Sequence, residues 1–140
     1  MSLITKIIFI LVLGFAASQI EKRRPVQLCS DVTAKMKEIC LECIKETNNT
    51  EHAWILFKEH RHDDSDCFKK FIYCSTTKAG YYSENGVPIL DKLYNLFTDS
   101  DVRHVLKECR DCLNITTPIE TANTFYKCYL KNSPAYVSFT

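Results

Sequence analysis

The sequence predicts an all-α fold, a compact disulfide-braced bundle of about six helices. Three observations predict the helices and their bracing. Apolar residues recur at three- and four-residue spacing in segment after segment, and no stretch reads as a strand. Start and stop signals bound these segments, among them Thr117-Pro118-Ile119-Glu120 and Gly80. Eight cysteines, an even number, all follow residue 28, as in the disulfide framework of a small secreted chain.

Secretion is read from the first residues. Met1 to Lys6 is a short basic start, Ile7 to Ala17 an apolar run, and Ala16-Ala17-Ser18 supplies the small residues a signal peptidase accepts. Residues 1–18 are therefore expected to be a signal peptide and residues 19–140 one helical domain, secreted and extracellular. The apolar run is too short to span a bilayer, so no stable membrane insertion is expected. Removing residues 1–18 takes away Lys6 alone among the charges, leaving 17 basic against 17 acidic side chains. Without a basic excess, nucleic acid and anionic membranes are not expected partners. Lys22-Arg23-Arg24 reads as a solvated arm, with a processing site as the alternative.

The elements follow in order. Val32, Met36, Ile39, Cys40, Cys43 and Ile44 form the stripe of a first helix behind a cap at Ser30 or Asp31. Glu51 to Glu59 gives a short second helix burying Trp54 and Phe57. Asp66 to Ala79 gives a third, with Cys67, Phe71 and Cys74 on one face and Gly80 at its stop. A polar turn from Tyr81 to Gly86 leads to Pro88 as the first residue of a fourth helix carrying Ile89, Leu93, Leu96 and Phe97. Ser100 caps a fifth helix with Val102, Val105, Leu106, Cys109 and Leu113. The capping box at Thr117 opens a sixth through Ala122, Phe125, Tyr126, Cys128 and Tyr129, which Pro134 ends near Asn132.

The sequence also contains residues that could support other chemistry. Cys40-Leu-Glu-Cys43 and Cys109-Arg-Asp-Cys112 have zinc-ribbon spacing, but in a secreted helical chain with four further cysteines disulfides are expected. His60-Arg-His62-Asp-Asp-Ser-Asp66 could offer imidazoles and carboxylates to a divalent metal, yet it reads as a polar loop that caps the third helix. No metal and no cofactor are expected. There is no Gly-x-Ser-x-Gly elbow, and His62-Asp63 lacks the adjacent cysteine pair and glycine loop of a secreted phospholipase. Asn48-Asn-Thr50 and Asn114-Ile-Thr116 are glycosylation sequons. Cys29 and Cys40 would lie about 16 Å apart in one continuous helix. Their pairing needs the chain before Val32 to double back; another use of Cys40, or an intermolecular bond through Cys29, stays open.

Cys43-Ile-Lys-Glu-Thr, the helix ending at Cys74, the turn Gly80-Tyr-Tyr-Ser-Glu-Asn-Gly86, Val102 to Cys109 and Glu120-Thr-Ala-Asn-Thr-Phe-Tyr-Lys-Cys128 resemble the insect pheromone and general odorant-binding protein family. The resemblance implies six helices around an apolar cavity. Matched this way, Cys43, Cys74, Cys109 and Cys128 take the first, third, fourth and sixth of the family's six cysteine positions. Lys70 and Ile119 fall at the second and fifth, so this bridge is missing, as in the reduced-cysteine branch. The resemblance thus implies Cys43 bonded to Cys74 and Cys109 to Cys128. Cys67 and Cys112 lie near the lost positions and are expected to carry a displaced bridge.

By the same resemblance the chain is a secreted carrier of small hydrophobic molecules, such as an odorant, a pheromone or a lipid-like ligand, and not an enzyme. The alternative is a salivary, venom or other non-olfactory member that sequesters small mediators or acts through its surface. Contact with an olfactory receptor and a monomer or weak homodimer are further expectations. Expected wall residues are Trp54, Phe57, Phe71, Leu90, Leu93, Phe97, Leu106, Phe125 and Tyr129, with Val137 and Phe139 of the apolar tail as wall or lid. His104 is the expected pH-sensitive group in release.

Overall fold

The computed structural model describes residues 23–139. The expected leader and Lys22 lie outside them. Among the described residues six helices follow in sequence: α1 (Ser30–Glu46), α2 (Glu51–Lys58), α3 (Asp66–Lys78), α4 (Leu90–Leu96), α5 (Ser100–Asp111) and α6 (Pro118–Asn132). The all-α class and the number of helices match the sequence reading.

Their ends show which local signals acted. Thr50 and Ser65 accept bonds from the backbone N–H groups of His52 and Phe68 and so cap α2 and α3. Thr117 caps α6 by accepting from Glu120 N–H, but Glu120 does not close the capping box. Its carboxylate turns to the Lys69 ammonium at 3.0 Å instead. Three expected starts are corrected. Cys29, without a side-chain bond, precedes α1, and Asp99 precedes α5. Pro88 forms an isolated antiparallel bridge with Tyr82, and α4 starts at Leu90. Gly86 must be glycine there, because its φ is +78° and a Cβ would sit 2.0 Å from the Pro118 carbonyl oxygen.

Two strands that the sequence reading did not find join the ends of the described chain. β1 (Arg24–Gln27) and β2 (Ala135–Ser138) pair in parallel, with Arg24 opposite Ala135 and Gln27 opposite Ser138. Four residues are too few for alternation to show, and the partner lies across the whole domain. The basic cluster is therefore no free arm. Arg24 reaches Asp101 at 2.9 Å and Asp99 at 3.2 Å, and Arg23 donates to the Lys131 carbonyl at 3.3 Å.

Two apolar cores form. One gathers Cys40, Ile44, Leu56, Phe57, Phe68, Phe71, Ile72 and Tyr126 from α1, α2, α3 and α6. The other gathers Tyr82, Leu93, Phe97, Val102, Leu106, Ala122 and Phe125 from the turn, α4, α5 and α6. Adjacent residues of α6, Phe125 and Tyr126, thus serve different cores.

Disulfides tie Cys43 to Cys74, joining α1 to α3, and Cys109 to Cys128, joining α5 to α6. The expected Cys67–Cys112 bridge is absent, and Cys29 and Cys40, whose pairing the sequence leaves open, are not joined. All four are free thiols, with Cys40 buried and Cys29, Cys67 and Cys112 exposed. The reason is packing. α3 packs on α1 and α6, while α5 packs on α4 and α6, so the helices that carry Cys67 and Cys112 are joined chiefly through α6. Lys70 and Ile119, at the positions of the missing family bridge, do meet at one surface depression. Beside them Asn123, 1% exposed, supplies a polar link. Its amide donates to the Lys69 and Ile119 carbonyls at 2.9 and 2.8 Å, and its oxygen meets His62 Nε2 at 2.9 Å.

Candidate functional site

Between the two cores lies a cavity of about 90 Å³, measured as space open to the centre of a water molecule. By that measure roughly 10–15 Å³ holds one water. Every helix contributes to its wall. Val32 and Met36 come from α1, Phe57 from α2, Thr76 from α3, Leu93 and Leu96 from α4, Leu106 from α5, and Phe125, Tyr126, Tyr129 and Leu130 from α6. Leu28, His60, Tyr81, Tyr82 and Phe97 from the connections complete it, together with Val137 of β2 and Phe139 beyond it.

Eight of the expected wall residues stand in this wall: Phe57, Leu93, Phe97, Leu106, Phe125, Tyr129, Val137 and Phe139. Three do not. Phe71 is fully buried in the first core, with its ring centroid 6.2 Å from that of Phe57. Trp54 stands behind the wall against Phe57 and Phe139, at 6.0 and 5.4 Å between ring centroids. Leu90 packs against the second core. The sequence reading missed others. Val32, Met36 and Tyr126 lie on stripes it recognised as buried, so periodicity alone could have offered them. Tyr81, Tyr82 and His60 lie in segments that read as polar loops, and no local pattern marks them.

The wall is apolar with a few buried polar groups. Burial pushes Tyr129 up to about 12 and raises Tyr82 and Tyr126 further above the usual phenol range. Each of the latter two is raised again by a neighbouring tyrosine of the set. The Tyr129 oxygen is covered without a hydrogen bond of sound geometry. Nearby Ser133 favours the phenolate slightly, but its hydroxyl already donates to the Ala135 carbonyl at 2.7 Å. His60, at φ +60°, lies against the Tyr136 ring, 5.1 Å between centroids. Burial lowers its imidazole, the nearby Val137 carbonyl partly offsets this, and Arg23 lowers it further. His104 is not at the tail: it is 69% exposed on α5 and meets Glu108 at 2.9 Å. Among the described residues no group of three histidine, cysteine or acidic side chains is placed to hold a metal. No helix among them is long and apolar enough to cross a membrane.

This arrangement has known counterparts. The profile of the PBP/GOBP family matches residues 27–132, from the end of β1 to the end of α6. The chain belongs to the PBP/GOBP family. Solved structures share the fold of this PBP/GOBP member. An odorant-binding protein of Locusta migratoria superposes with a TM-score of 0.62 at 21% identity, covering 77% of this chain and 86% of that one. Odorant-binding protein 7 of Anopheles gambiae, which has four disulfide bridges and was solved with an azo compound, gives 0.58 at 23% identity, covering 74% and 87%. A medfly odorant-binding protein gives 0.53 at 25% identity, covering 71% and 89%. No curated protein matches the chain in sequence.

Proposed function

We propose that this PBP/GOBP member is a secreted, extracellular carrier that holds a small hydrophobic molecule in the cavity between its two cores, by binding and without catalysis. The observation that carries this reading is the wall itself, apolar and assembled from all six helices and the tail. A filled core would have served stability better, since each missing contact costs packing energy. An apolar ligand leaving water for such a site gains about 25 cal/mol per Å² buried, less the cost of its lost freedom. That the Anopheles protein of the same fold holds an azo compound supports the reading. Contact with a receptor and a role in olfaction stay with the family resemblance.

The test is displacement of a fluorescent apolar amine, N-phenyl-1-naphthylamine, from the purified disulfide-bonded protein. Binding in the micromolar range, with displacement by medium-chain organic molecules, is the expected result. Phe125 is 1% exposed and lines the cavity, so Phe125→Ala should change which ligands displace best. A correctly oxidised protein that binds no probe would instead be one that acts through its surface.

A further inference from the structure

The sequons at Asn48 and Asn114 stand apart from the cavity, and neither asparagine lines it. At the first, the fold gives each residue a task of its own. Asn48 follows α1 at φ +56°, a left-handed position that asparagine tolerates, and Thr50 caps α2. Asn49 between them donates its amide to Thr47 Oγ1 and to the Cys67 carbonyl, each at 2.7 Å. Asn114-Ile115-Thr116 is different. It lies in the connection between α5 and α6, tied to α6 by the Thr116 N–H, which donates to Thr121 Oγ1 at 2.9 Å, and all three residues are exposed. Ile115 is 57% exposed, more than Leu41, Ile55 or Ile89, the other large apolar side chains at the surface among the described residues. Two residues before Asn114, at the C-terminal end of α5, Cys112 is an exposed free thiol. Such a thiol is open to disulfide exchange with any partner that reaches it, and a bare isoleucine beside it favours the approach. Threonine two residues past the asparagine, with no proline between, is the acceptor pattern for a glycan.

Resting on the reading that the chain is secreted, we propose that Asn114 carries an N-linked glycan, which covers Ile115 and shields the Cys112 thiol from large partners. Transfer joins Asn114 Nδ2 to the anomeric carbon of a lipid-diphosphate-linked oligosaccharide, the donor in the secretory pathway. The bond from that carbon to the diphosphate oxygen breaks, the lipid diphosphate leaves, and the amide nitrogen gives up one proton. The side chain is an uncharged amide before and after. A glycan at this point is bulky and solubilising. It occupies the space beside the end of α5 through which a second protein would bring its sulfur to Cys112, whereas small reagents still pass. The cavity stays as it is, since no residue from 112 to 117 lines it.

The experiment is secretion of the full chain, with its own residues 1–18, from a eukaryotic cell line, followed by peptide mass analysis. Wild type should carry sugar at Asn114. Asn114→Gln and Thr116→Ala break the sequon from either end and should each lose that glycan, while Thr116→Ser should keep it. A maleimide bearing a long polyethylene glycol chain then reads the shield. It should label Cys112 several-fold faster in the two sequon-breaking variants than in wild type, while Cys29, which precedes α1, keeps one rate in all. Iodoacetamide, a small reagent, should label Cys112 alike in every form, and binding of N-phenyl-1-naphthylamine should not change. Secreted wild type without sugar at Asn114 would overturn the proposal, as would a Cys112 that the polymer reagent labels equally with and without the glycan, or one already bonded to Cys67. In those cases the protein still reaches the medium, and the secretion reading survives. A chain retained in the cytosol with residues 1–18 still attached would remove the secretion reading and this proposal with it.

Discussion

His60 is the residue of the cavity wall whose charge can change near neutral pH. Folded, with the tail against it, its pKa is lowered; released into water, the ring returns toward about 6.5. The open state therefore binds the proton more readily. The closed state keeps its full advantage above about pH 6.5 and loses it as pH falls through the window below. Ligand should leave faster at about pH 5 than at about pH 7.5, and His60→Phe should flatten that difference in stopped-flow displacement, whereas His104→Gln should leave it intact. The thiols give a second expectation at this scale. Burial pushes Cys40 up to about 12, and adjacent Ser75 lowers it only in part. Since the thiolate is the nucleophile, native alkylation should label Cys29, Cys67 and Cys112 and spare Cys40 until unfolding. Protection of both Cys67 and Cys112 would restore the displaced bridge.

Among the elements, the helices were legible because their signals are local. The stripe from Val32 to Ile44, the caps at Ser65 and Thr117 and the stop at Gly80 each lie within a few residues of what they specify. The strands were not legible, since β1 and β2 make sense only as a pair. The wall was legible where a stripe carried it, as at Phe125 and Tyr129. It was hidden where a bridge between Tyr82 and Pro88 turned an apparently polar loop inward. The link between α3 and α6 is another such case. No spacing rule announces that Asn123 joins Lys69, Ile119 and His62, in the neighbourhood where the family resemblance places a disulfide. Asn123→Ala should cost about 1–3 kcal/mol in denaturant unfolding, and Asn123→Asp, which lacks the amide donors, should not rescue it. The tail belongs to this scale as well. Deleting residues 133–140 removes β2 and the Val137 and Phe139 wall, and ligand should dissociate faster at neutral pH. Unchanged off-rates would show that the strand is no lid.

For the whole molecule, the two disulfides divide the labour. Cys43–Cys74 closes a loop of 31 residues and Cys109–Cys128 one of 19. One fastens the first core and the other the second. By loop-closure entropy each contributes about 3 kcal/mol, the longer loop slightly more. Paired cysteine-to-alanine variants should lower the melting temperature by a comparable amount each. The Cys109→Ala/Cys128→Ala pair should disturb ligand binding more, because Leu106, Phe125 and Tyr129 on the helices it joins line the cavity.

The parallel pairing of β1 with β2 also has a mechanical meaning. The chain enters β1 at Arg24 and leaves β2 at Ser138, at opposite ends of the paired segment. A tension applied between the two termini therefore pulls the strands past one another lengthwise, and their backbone bonds bear the load together. An antiparallel pair held by its two adjacent ends would peel open one bond at a time. Stretched from its ends, this small domain meets its first resistance at a shear clamp, and only after that clamp slips does the force reach the helices.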